Sequence, residues 1–223
     1  MPLHTDRDYE AELARLRAQL LLMGGEVEGM IAASIRAFRD RDADLARRMI
    51  VTDRHVNRLE LDIDELCLRI LARRQPVASD LRFIATALKM VTDLERIGDL
   101  AKNICERVIE LAGEAPVAHG IGLIEMADVV HGMVRGALDA FVAANIERAR
   151  GVIDEDNRVD AWYAQALQAL LTSMARDTGS IQATMRVLSV AKYLERIGDH
   201  ATNLSEMVVF MVGGKDIRHA HPQ

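Results

Sequence analysis

Residues 88–108 and 188–208 of this 223-residue chain are one segment written twice. The first reads LKMVTDLERIGDLAKNICERV and the second LSVAKYLERIGDHATNLSEMV; 11 of the 21 positions are identical at an offset of 100. Chance supplies roughly one match in such a window, so the chain contains an internal repeat. Whatever one copy folds into, the other must fold into something similar.

The pattern within each copy is helical. Leu13, Leu16, Leu20, Met23, Val27, Met30, Ser34 and Ala37 step by threes and fours, which marks one face of a long helix. Leu45 to Ile70 and Phe83 to Leu111 repeat that spacing. Arg39 to Asp42 separates the first two helices, and Arg73 to Pro76 separates the second from the third, with Pro76 expected to start a helix. Gly113 and Pro116 close the unit, and Gly120 to Gly122 open the next. There, helices are expected from Leu123 to Ala144, through Val152, Val159 and Trp162 to about Ala175, and through Val190 to Met211, ending at Gly213-Gly214. Short connections make antiparallel neighbours. The expected fold is all-α: two tandem, pseudo-symmetric, up-down-up three-helix bundles over 1–115 and 116–214, with a disordered tail at 215–223. Aromatic residues are only 4% of the chain and prolines number four, both in keeping with long helices. At 50% hydrophobic, the chain can build one large core or two small ones.

Charge narrows the function. The 28 Lys and Arg are interspersed among 34 Asp and Glu, giving a net charge of -6, so no basic face for nucleic acid is evident. No apolar run is long enough to span a bilayer and the N-terminus lacks a signal pattern, so a cytoplasmic protein without membrane insertion is expected. Cys67 and Cys105 fit no zinc motif and read as buried free thiols. No phosphate loop or nucleophile elbow is present.

The repeated LERIGD carries the chemistry. Glu95 and Asp99, like Glu195 and Asp199, are four apart and share a helix face. In the phase set by Leu94, Ile97 and Ala101 they point away from the core. Side-by-side acids repel, and a cation would relieve them. Asn103, Asn203, Glu106 and Glu206 extend the stripe. Gly98 and Gly198 stand in mid-helix, where glycine costs about 1 kcal/mol, which suggests close approach by a helix or ligand. Alignment of the second helices on Val56 and Val159 places Asp53 opposite Asp156 and Asn57 opposite Asp160, again i,i+4 pairs. Four oxygen side chains per bundle suit a hard or borderline cation. The competing reading is a solvated face paired with Arg96 and Arg196. His55 and His200 are further ligand candidates, whereas Asp128 with His131 reads as a surface pair.

On these residues the chain resembles the PhoU family. The matching stretches are RRQPVASDLRFIATALKMVTDLERIGDLAKNICE at 73–106 and YLERIGDHATNLSE at 193–206, with the helix from Tyr9 through Met23 also similar. The resemblance covers essentially the whole chain. It implies two symmetry-related bundles whose acidic motifs bind multinuclear iron or zinc clusters. Those motifs fall on Asp53 with Asn57, Glu95 with Asp99, Asp156 with Asp160, and Glu195 with Asp199. It further implies a non-catalytic regulator that couples the cytoplasmic subunits of a phosphate ABC transporter to a phosphate sensor kinase and represses the starvation response when phosphate is ample. A homodimer is the expected assembly. Asn57 departs from the motif, having an oxygen but no charge, so the first site is expected to be weaker or empty. The rival expectations are a metal-carboxylate enzyme or metal-handling protein, and a metal-free scaffold whose acidic stripes bind basic partners.

Overall fold

A computed structural model describes residues 3–115 and 122–217, with side chains from residue 7 onward. Pro116, Gly120, His219, His221 and the last part of the expected tail lie outside the described residues. Six α-helices follow in order, with no strand among the described residues: α1 (Leu3–Asp40), α2 (Ala43–Arg73), α3 (Ala78–Leu111), α4 (Leu123–Ala143), α5 (Ile146–Arg176) and α6 (Ile181–Gly213). One 3-10 turn, Thr178–Ser180, joins α5 to α6. None of these helices is long and apolar enough to cross a membrane.

The first two helices of each repeat are joined by the same device. Asp42 N–H donates to Ala37 O at 2.9 Å and Arg41 N–H to Phe38 O at 3.4 Å; Asn145 and Ala144 do the same to Ala140 and Phe141 at 2.9 and 3.3 Å. These paired bonds satisfy the last carbonyls of the ending helix. The same Asp42 and Asn145 side chains then accept from Leu45 N and Arg148 N, capping the next helix. The turn forces a left-handed residue, Arg41 at φ 55° and Ala144 at φ 48°. Arg41 offsets its strain by donating its guanidinium to Leu111 O and Glu114 O at the end of α3. Ala144 has no side chain to do so. Ala144→Gly should therefore stabilise the chain by about 1 kcal/mol, seen as a higher urea midpoint. Arg41→Gly should not, since it deletes the α3 cap.

Pro76 does not open α3. It precedes the N-cap residue Val77, and the helix begins at Ala78. Gly214, at φ 69°, ends α6 as expected. Ile217, within the expected disordered tail, packs against the core.

Helices α1–α3 pack on one another, as do α4–α6, and α3 lies against α6. The last pair is antiparallel. Arg82 Nε reaches Met211 O at 3.3 Å near one end, Asp93 meets His200 in the middle, and Arg186 meets Glu110 at 2.9 Å near the other. The buried side chains of both repeats consequently run together into one core rather than two. Cys67 and Cys105 are buried within it, and burial pushes both thiols up to about 12, so neither is a ready nucleophile.

Candidate functional site

In the second repeat, α5 and α6 run close together because Gly198 has no side chain. A Cβ there would lie 3.3 Å from Val159 Cγ1 and 3.7 Å from Asp156 Oδ1. Gly98 makes the equivalent approach to Val56, where a Cβ would lie 3.4 Å away. In both copies, then, the mid-helix glycine seats the neighbouring helix. Asp156 and Asp160 of α5 face Glu195 and Asp199 of α6. Asp156 Oδ1 and Glu195 Oε2 are buried and have no hydrogen-bond partner. Asp160 stands at the exposed rim.

The crowding raises proton affinity. Burial, then the charges of Asp199 and Asp160, push Asp156 up to about 6. Asp199 keeps access to solvent, yet partial burial, then Glu195 and Asp160, still raise it against the counteracting Lys192. Lys192 bonds Glu195 at 2.6 Å on its own helix and lies over the Tyr163 ring, 5.1 Å from its centroid.

A carboxyl raised in the folded state holds a proton that the unfolded chain has already lost. Its penalty is absent below the unfolded value, near 4, grows as pH rises and is complete above about 6. Asp156→Asn should therefore raise the melting temperature of chelator-treated protein at pH 7.5. The gain should shrink as pH falls from about 6 to about 4, a trend that thermal melts across that range would measure.

The first repeat is arranged differently. Asp53 is 4% exposed, and its Oδ2 accepts from Lys102 Nζ at 3.1 Å. The same ammonium stands 3.6 Å from Asp99 Oδ1. Arg96 lies 3.5 Å from Glu95 and 3.9 Å from Asp99. Burial, then Asp99, raise Glu95, and Arg96 opposes them. Glu60 and Asp64 also belong to this acidic face and are themselves raised, mainly by burial. Both were missing from the residue set expected from sequence. Their signal is the spacing 53, 57, 60, 64, which continues the stripe down α2.

Glu95 and Asp99 do not face open solvent. Their side chains are 14% and 33% exposed. Asn203 leaves the expected stripe, and the two candidate histidines have partners elsewhere. Asn203 Nδ2 and His200 Nδ1 meet Asp93 Oδ1 across the α3–α6 seam, at 3.3 and 2.6 Å, and Glu206 is buried. His55 Nδ1 lies 3.1 Å from Glu26 of α1. Each imidazole thus has a carboxylate partner away from the four-oxygen sets.

Among the described residues, no three His, Cys, Asp or Glu side chains converge at metal-ligand distance. The donor chemistry nonetheless differs between the repeats. Both sets hold orphaned buried oxygens, but around Asp156, Asp160, Glu195 and Asp199 the acids also repel one another, which a cation would relieve, so their charge fits a metal ion. Around Asp53, Asn57, Glu95 and Asp99, an ammonium already lies between two of the acids, and the residues do not fit one.

Comparison with known proteins agrees with this two-copy plan. The PhoU domain matches twice, over residues 20–108 and 123–208. The phosphate-specific transport system accessory protein PhoU homolog of Pseudomonas putida is 44% identical over 218 residues, covering 97% of this chain and 85% of that protein. The phosphate-specific transport system accessory protein PhoU of Escherichia coli K12 is 38% identical over 216 residues, covering 97% and 90%. The crystal structure of PhoU from Pseudomonas aeruginosa superposes with a TM-score of 0.90 at 41% identity, covering 93% of this chain and all of that one. The phosphate transport system regulatory protein PhoU from Streptococcus pneumoniae superposes at 0.85 with 26% identity, over 93% and 98%. A doubled domain, relatives similar from end to end and the same six-helix architecture place this chain in the PhoU family.

Proposed function

We propose that the chain is a non-catalytic regulator of phosphate uptake and phosphate-starvation signalling. The observation that carries this reading is the end-to-end similarity to proteins named accessory proteins of the phosphate-specific transport system. In this role it works in the cytoplasm as a homodimer, with a first unit over 1–115 and a second over 116–214. It couples the cytoplasmic subunits of the phosphate ABC transporter to the phosphate sensor kinase and keeps the starvation response repressed while phosphate is ample. Iron or zinc bound at Asp156, Asp160, Glu195 and Asp199 belongs to the same reading. The metal would supply positive charge to an acidic crevice and hold α5 to α6.

Deletion of the gene should leave starvation-induced genes switched on in phosphate-rich medium, measured as alkaline phosphatase or a promoter reporter. Complementation should restore repression. A reporter that stays repressed in a deletion strain with no second family member would refute the regulatory role.

A further inference from the structure

We propose that Lys102 is a tethered cation: it fills, in the first bundle, the place that a metal ion takes in the second. The chain then has one metal site, at α5 and α6, and one permanently filled site, at α2 and α3. The inference rests on the metal reading above only for its second half.

The repeat sets up the comparison. Asp53, Asn57, Glu95 and Asp99 correspond to Asp156, Asp160, Glu195 and Asp199, and Lys102 corresponds to Thr202. One position thus exchanges a full positive charge for none. Lys102 is three residues after Asp99 and crosses to the neighbouring helix. Its Nζ lies between Asp53 Oδ2 at 3.1 Å and Asp99 Oδ1 at 3.6 Å. It therefore joins α2 to α3, as a bridging metal would.

Burial makes the bond matter. The Asp53 side chain is 5% exposed and that of Lys102 is 29%. A buried carboxylate without a partner is costly, so the ammonium is held by the acid it neutralises. Asp53 Oδ1 and Asn57 Oδ1 remain unpartnered beside it. These are oxygens that a cation would use, yet an incoming divalent ion would first have to expel a like charge. Arg96, within 4 Å of both Glu95 and Asp99, adds to that barrier. Asn57 lowers the attraction further by removing one of the four charges.

Lys192 does not play this part in the second bundle. It reaches Glu195 on its own helix, and its side chain is 46% exposed. The Glu195 that it pairs with is only 13% exposed, but the contact stays within α6, whereas Lys102 spans α2 and α3.

The test uses full-length, untagged protein stripped with chelator and titrated with Zn(II), with bound metal measured at saturation. Lys102→Thr combined with Asn57→Asp should roughly double the metal bound per chain. Thr202→Lys should reduce it to near zero. A second readout is the melting temperature in chelator: Lys102→Thr should lower it, and Thr202→Lys should raise it by supplying the missing charge. Lys102→Met repeats the first measurement with the aliphatic stem kept, and circular dichroism confirms that each variant is helical. Unaltered metal content in the double variant, with wild type already loading both sites, would overturn the proposal. If the wild type binds no metal, the metal reading fails by itself, and the melts decide the remainder. Opposite shifts for Lys102→Thr and Thr202→Lys uphold the tethered cation, and no shift in either refutes it.

Discussion

Phe141→Ala should lower the free energy of unfolding by about 3–5 kcal/mol, in a transition that both repeats share. Phe141 is 1% exposed and stacks on Phe83, with ring centroids 6.1 Å apart and planes within 18°. Phe83 belongs to α3 and Phe141 to α4, so the pair joins the two repeats. With only four phenylalanines in the chain, little other aromatic surface exists to refill the space. The cavity would open in a core continuous across α3 and α6. Urea unfolding followed by circular dichroism and by Trp162 fluorescence should therefore give coincident curves, both moved to lower urea. Two separate transitions, with Trp162 following only the second repeat, would show that the bundles are independent bodies.

Gly122→Ala is the second change expected to have a large effect, a loss of about 2–4 kcal/mol from two additive causes. Gly122 caps α4 at φ 61°, where a residue with a Cβ is strained by roughly 1–2 kcal/mol. The added Cβ would also fall within the van der Waals envelope of the Trp162 ring, lying over it at the start of α4. That ring is half-buried against the core. Trp162 is the sole tryptophan, so its emission reports the displacement directly. Adding Trp162→Leu should recover the part of the loss due to overlap and leave the part due to backbone strain. An unchanged emission spectrum and urea midpoint in Gly122→Ala would show that the start of α4 accommodates a side chain.

Much of this architecture is legible in the chain itself. The threes-and-fours spacing marks all six helices, because an apolar stripe must follow the helical period to stay buried. The repeat offset pairs Asp53 with Asp156 and Glu95 with Glu195, since copies of one sequence place equivalent residues equivalently. The acidic face of α2 extends beyond the expected motif. Glu60 lies on the Asp53–Asn57 face, and Lys102 is one turn beyond Asp99; both spacings are visible once the face is followed along the helix. Asn203, on the expected stripe, and His200, a ligand candidate, both turn to Asp93 of α3. Helical spacing says which residues share a side of α6, but that side meets α5 at Glu195 and α3 at His200.

Sequence alone determined the helices, their order and the doubled plan. These depend on local periodicity and on internal identity, both properties of a single strand of text. Tertiary structure decided the rest. It joined the two bundles through one continuous core, because α3 and α6 pack on each other. It also separated two sites that the sequence writes almost alike. The electrostatics of a carboxylate depend on what stands within a few ångströms in space. Asp53 has an ammonium there, brought by the next helix, whereas Asp156 has three more carboxylates.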